Sequence, residues 1–159
     1  MKNNGARTSR TSITGELLMS IALNPYLQFD GTARAAVEFY QSVFGGELGL
    51  QTFGQGMGDT DPETSKRVMH ASLYLERGIH IMASDVPPGM ELDTNGTISL
   101  SNDDGTGADA QMLTSWWEHL QEDAEVTLPL EQAPWGDRFG QLTDKFGVKW
   151  MVNILVAAR

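Results

Sequence analysis

The chain has 159 residues, 40% of them hydrophobic, no cysteine, and 11 Lys/Arg against 21 Asp/Glu for a net charge of -10. That length allows one domain, or two small modules sharing a core. The acidity argues against nucleic acid and anionic membrane as partners, the missing cysteines exclude disulfides and thiolate sites and fit a cytoplasmic protein, and no apolar run approaches the roughly 20 residues of a membrane span.

Met1 to Glu16 is polar, carries Lys2, Arg7 and Arg10 against one acid, and lacks the apolar stretch of a secretory signal. Residues 1–18 are expected to be a disordered extension, with Met19 the natural first residue. Ile21 to Phe29 reads as a strand, Leu23, Leu27 and Phe29 facing one way, Tyr26 and Gln28 the other. Asp30-Gly31-Thr32 breaks it and is suited to cap a helix over Ala33 to Phe44, whose Ala36, Phe39, Tyr40, Val43 and Phe44 share one face. Gly45-Gly46 stops that helix. Leu48 to Phe53 is a second strand, and Gly54 to Lys66 an acidic, glycine-rich loop.

Val68 to Leu75 is a third strand, with Met69, Ala71 and Leu73 opposed to His70, Ser72 and Tyr74. Ile79 to Ser84 is a fourth, with Ile79, Ile81 and Ala83 opposed to His80, Met82 and Ser84. After a linker over Asp85 to Asn95 the order begins again. Thr97 to Ser101 is a strand, Asp109 to Gln121 a helix, and Val126 to Leu130 a strand. A hairpin follows: Arg138 to Thr143, a turn at Asp144 to Gly147, then Val148 to Leu155. In that last strand Val148, Trp150, Val152 and Ile154 share one face; Lys149, Met151 and Asn153 share the other.

The chain is therefore βαβββ followed by βαβββ, an α+β fold of two modules, about residues 20–92 and 96–158, in one domain over 19–159. The apolar strand faces suit packing under the helices. The opposite faces carry Tyr26, Gln28, His70, Tyr74, His80, Thr97, Lys149 and Asn153, with few charges. A face washed by bulk water normally holds more Lys and Glu, so a semi-enclosed ligand pocket is expected there.

Asn24-Pro25-Tyr26-Leu27-x-Phe29, Phe39-Tyr40-x-x-Val43-Phe44-Gly45-Gly46, Met82-x-Ser84-Asp85, and Phe139-Gly140-x-Leu142-x-Asp144-x-Phe146-Gly147-Val148-x-Trp150 resemble the glyoxalase/bleomycin-resistance/dioxygenase, or vicinal oxygen chelate, superfamily. The similarity is strongest to its PhnB-like branch. The resemblance implies curled mixed sheets forming cups, helices on the outer face, and a homodimer. It also implies, in metal-dependent members, four inward ligands on a divalent metal. Those positions fall near Pro25/Tyr26, at Met82, at Thr97 and at Met151, where His or Gln, Glu, His and Glu are usual. Thioethers and a hydroxyl do not suit a hard divalent metal. No cofactor is expected, and a relocated metal held through His70 and His80 is the alternative.

Two functions follow from the resemblance. The first is a metal-independent small-molecule-binding protein, with Tyr26, Tyr74, Trp135 and Phe139 as stacking groups and Gln28, His80, Met82, Thr97, Lys149, Met151 and Asn153 around the ligand. The second is a glyoxalase-like lyase, isomerase or dioxygenase acting on a small oxygenated metabolite. There His70 is the general base, Tyr74 lies within its reach, and Lys149 holds an anionic group. PhnB-like proteins have been labelled ubiquinone-pathway methyltransferases, but no βαβ unit with a glycine-rich turn for a methyl donor is visible here.

Overall fold

A computed structural model describes residues 22–92, 94–102 and 107–155. The expected extension over residues 1–18 lies outside the described residues. Among the described residues no helix is long and apolar enough to cross a membrane.

The first module runs β1 (Tyr26–Phe29), α1 (Ala33–Phe44), β2 (Glu47–Thr52), α2 (Phe53–Met57), β3 (Val68–Tyr74) and β4 (His80–Asp85). The second runs β5 (Thr97–Ser101), α3 (Gly107–Leu120), β6 (Glu125–Gln132), β7 (Arg138–Thr143) and β8 (Lys149–Ile154). Each forms a four-stranded mixed sheet, ordered β1-β4-β3-β2 and β5-β8-β7-β6, in which only the first and last strands run parallel. The sheets stay open; neither closes into a barrel.

The helical spacing in α1 buries Ala33, Ala36, Val37, Phe39, Tyr40 and Val43. Those side chains meet Ala71, Leu73, Ile81 and Ala83 of the first sheet and Trp150 and Val152 of the second in one continuous core. Trp117 is buried and Trp116 half-buried, its ring edge-on to Phe44 at 5.0 Å. The two modules thus meet through their helices. Their polar sheet faces lie on the opposite sides of the sheets from that core.

Several local expectations are corrected. β1 begins only at Tyr26. Leu23, expected on the packed face, is exposed, and Pro25 contributes only its carbonyl, which accepts from the Met82 amide at 3.1 Å. The loop expected after β2 contains α2, started by a reciprocal capping box between Thr52 and Gln55. A 3-10 turn over Thr64–Lys66 follows it. Thr32 precedes α1 but makes no side-chain cap. The first helical amide, Ala33 N, instead donates to Asp85 Oδ1 at 2.9 Å.

Candidate functional site

The first sheet's polar face is built from alternation along β1, β3 and β4. Tyr26 pairs with Met82, and Met82 with Ser72, so the three stand abreast. From that row the Tyr26 hydroxyl reaches His70 Nδ1 at 3.2 Å, and His70 Nε2 lies 3.0 Å from Ser72 Oγ. Tyr26, His70 and Ser72 form one chain of exchangeable protons. Tyr74, expected within reach of His70, sits at the other end of β3. Its register partner is His80, and the two rings stack at 4.0 Å and 13°. His80 Nε2 is buried and has no hydrogen-bond partner among the described residues. Tyr26 and Tyr74 remain 45% and 56% exposed, an unusual outlay of aromatic surface for one sheet face. Gln28 is half-buried beside them, with Asn95 bonded to its backbone at both N–H and C=O.

The second sheet carries three ordered rows. Thr97, Lys149 and Thr143 lie abreast; then Ser99, Met151 and Gln141; then Ser101, Asn153 and Phe139. A cleft of about 280 Å³ opens over the first two rows, bordered by Thr97, Thr127, Gln141, Thr143, Lys149 and Met151. Asn153 Nδ2 donates to Asp137 at 3.1 Å. Trp135, 62% exposed, stands edge-on to Phe139 at 5.6 Å. His119, on α3, is exposed and bonds the Ser115 carbonyl.

The superfamily metal positions do not make a cation site here. Met82 stands between Tyr26 and Ser72, Thr97 beside the Lys149 ammonium, and Met151 between Ser99 and Gln141. Neutral soft sulfur is a poor donor to a hard divalent ion, and an adjacent ammonium repels one. Nor do the histidines combine into a relocated site, since His70 is held by Tyr26 and Ser72 while His80 lies against Tyr74. Among the described residues no three His, Cys, Asp or Glu side chains converge.

Two buried carboxylates, not singled out as functional groups from sequence, hold these faces in place. Asp85, 3% exposed, accepts from Ala33 N and, at 2.8 Å, from Val68 N, tying the start of α1 to the start of β3. Asp144, 4% exposed, accepts from Phe146 N and Val148 N at 2.9 and 3.0 Å, closing the β7–β8 turn in which Gly147 takes a positive φ of 83°. Its other oxygen accepts from Trp150 Nε1 and from Tyr40 Oη, both at 2.8 Å. Burial, then the Asp144 charge, pushes the Tyr40 phenol far above its ordinary range. The Asp144-x-Phe146-Gly147-Val148-x-Trp150 spacing was the signal available in the sequence.

The pattern of the glyoxalase/bleomycin resistance protein/dioxygenase superfamily matches residues 22–152. Protein YjdN of Escherichia coli K12 is 29% identical over 150 residues, 84% of this chain and 95% of its own. The crystal structure of PA1353 from Pseudomonas aeruginosa superposes with a TM-score of 0.70 at 36% identity, over 85% of this chain and 98% of that one. A PhnB protein from Bacillus cereus shares the fold at TM-score 0.63 and 23% identity, over 84% and 98%. Paired open sheets, the helices between them and a pattern match across almost all the described residues make the chain a member of the glyoxalase/bleomycin resistance protein/dioxygenase superfamily.

Proposed function

We propose that the protein binds a small molecule against its polar sheet faces, as a homodimer and without the metal that many superfamily members use. The observation that carries this reading is the first sheet's aromatic face. Tyr26 and Tyr74 leave 45% and 56% of their surface open beside His70, His80 and Met82. Such a face offers stacking and a few directional hydrogen bonds, the usual makeup of a ligand wall. Because each sheet is open, a second copy laid across it would turn a wall into a pocket.

The test is a thermal-shift screen of planar aromatic compounds followed by calorimetry, with light scattering for the dimer. A stabilising compound whose affinity falls about tenfold in Tyr74→Ala supports the reading, as loss of a stacked ring predicts. Equal affinity in the variant sinks it. Elemental analysis after dialysis addresses the metal: a stoichiometric divalent ion overturns the metal-free part.

The Tyr26–His70–Ser72 chain favours a second reading, a glyoxalase-like enzyme in which His70 takes a substrate proton. His70 Nδ1 is 3.2 Å from a phenol and Nε2 3.0 Å from a hydroxyl, so a proton accepted at one nitrogen can be relayed from the other. His70→Ala then abolishes turnover of a substrate found by metabolite profiling while the fold persists; undiminished turnover excludes that role.

A further inference from the structure

We propose that the seam between the modules holds a second site, for a small quaternary ammonium compound, separate from the polar sheet faces. It is a cavity of about 340 Å³, lined by Phe44 at the end of α1, by Leu75, Glu76 and Ile79 around the β3–β4 turn, and by Met112 and Trp116 of α3. That volume falls within the usual range of small-molecule sites, roughly 300–1,000 Å³. None of the side chains assigned above to the sheet faces borders it.

The rings set the chemistry. Phe44 and Trp116 meet at 5.0 Å with their planes 88° apart, and both stay half-buried, so they form a corner of aromatic surface. Met112, one helical turn before Trp116, is 39% exposed beside it. Aromatic faces attract cations through their quadrupole. A quaternary ammonium has no N–H groups to satisfy, so it loses least on entering an apolar corner.

The surrounding charge has the matching sign. Helix α1 ends at Phe44, placing the negative pole of its dipole at the cavity wall, and has no basic residue in its last turn to offset it. Glu76 adds a carboxylate that is in no salt bridge among the described residues. Arg77, also on the wall, is answered by Asp109 at 2.8 Å. The net charge of -10 acts in the same direction. The rim is braced as well. Arg77 takes a φ of 65°, in the left-handed region that non-glycine residues seldom adopt. Its ion pair crosses from the first module's β3–β4 turn to α3 of the second. Strain kept at a cavity rim marks a candidate site.

The test is an NMR titration of the full chain with choline, and with its neutral isostere 3,3-dimethyl-1-butanol, read at the Trp116 indole N–H and the Met112 methyl. Saturable shifts with choline, and binding of the isostere about tenfold weaker, are expected. Trp116→Leu should weaken choline about tenfold and Glu76→Gln about threefold. Glu76 is exposed, so Glu76→Gln keeps the test decisive should Trp116→Leu fail to fold. No saturable shift, equal binding of the isostere, or unchanged choline affinity in Glu76→Gln overturns the site. Choline shifts that persist in Tyr74→Ala support a site separate from the first sheet's aromatic face; shifts lost there overturn that separation.

Discussion

Tyr40 and Asp144, 104 residues apart, join the two modules by a buried hydrogen bond of 2.8 Å. Asp144 is also the acceptor for Trp150 Nε1 and two turn amides. Removing its carboxylate strands four donors at once. Asp144→Ala is expected to destabilise the protein by about 3–5 kcal/mol, and Tyr40→Phe by about 1–3 kcal/mol. Urea denaturation of each variant, and of the double variant, measures both losses and their coupling.

The same pair makes stability fall with alkaline pH. The Tyr40 phenol resists ionisation in the folded protein, whereas an unfolded tyrosine ionises near pH 10. Above that value the unfolded chain has lost a proton that the folded chain retains. Stability is fully present below the unfolded pKa and falls by about 1.4 kcal/mol per pH unit above it. Unfolding free energies should be nearly flat in this contribution below pH 9 and approach this slope as pH rises past 10, and Tyr40→Phe should reduce it.

Asp85 replaces the expected Thr32 cap. Asp85→Ala leaves Ala33 N and Val68 N without their acceptor, a loss of about 2–3 kcal/mol. Thr32→Ala, lacking any cap bond to lose, should change stability by less than about 0.5 kcal/mol. Equal effects of the two in thermal unfolding would contradict this division of roles.

Gly46 follows α1 with φ of 95°, and a β-carbon there would collide with the Tyr74 carbonyl. Gly46→Ala therefore displaces the strand end that positions Tyr74 against His80. It should destabilise by about 1–3 kcal/mol. It should also weaken an aromatic ligand at Tyr74, separating it from Gly58→Ala, where a β-carbon meets nothing within 4 Å.

Strand parity was readable because one face of each sheet is buried: Leu27, Ala71, Ile81, Trp150 and Val152 all point into the core as expected. Helix α1 was readable for the same reason, at period 3.6. The partners across space were not. Nothing local to His70 distinguishes Tyr74, on its own strand, from Tyr26, 44 residues away; the diagonal reach of a phenol over Met82 decides it. Asp144 looked like a turn residue because its turn bonds are local, whereas its bond to Tyr40 needs both modules folded. Helix α2 was hidden by its glycines, although Thr52-x-x-Gln55 was there to be seen.

Asn95 uses its side-chain amide as a peptide group would, donating to Gln28 C=O and accepting from Gln28 N, both at 2.9 Å. A single residue therefore impersonates a neighbouring strand and guards the flank of β1 against another chain's backbone. Asn95→Ala should do little to the melting temperature yet promote concentration-dependent oligomers, visible by light scattering. The connection between the modules thus occupies both backbone groups of one β1 residue as well as joining the two halves.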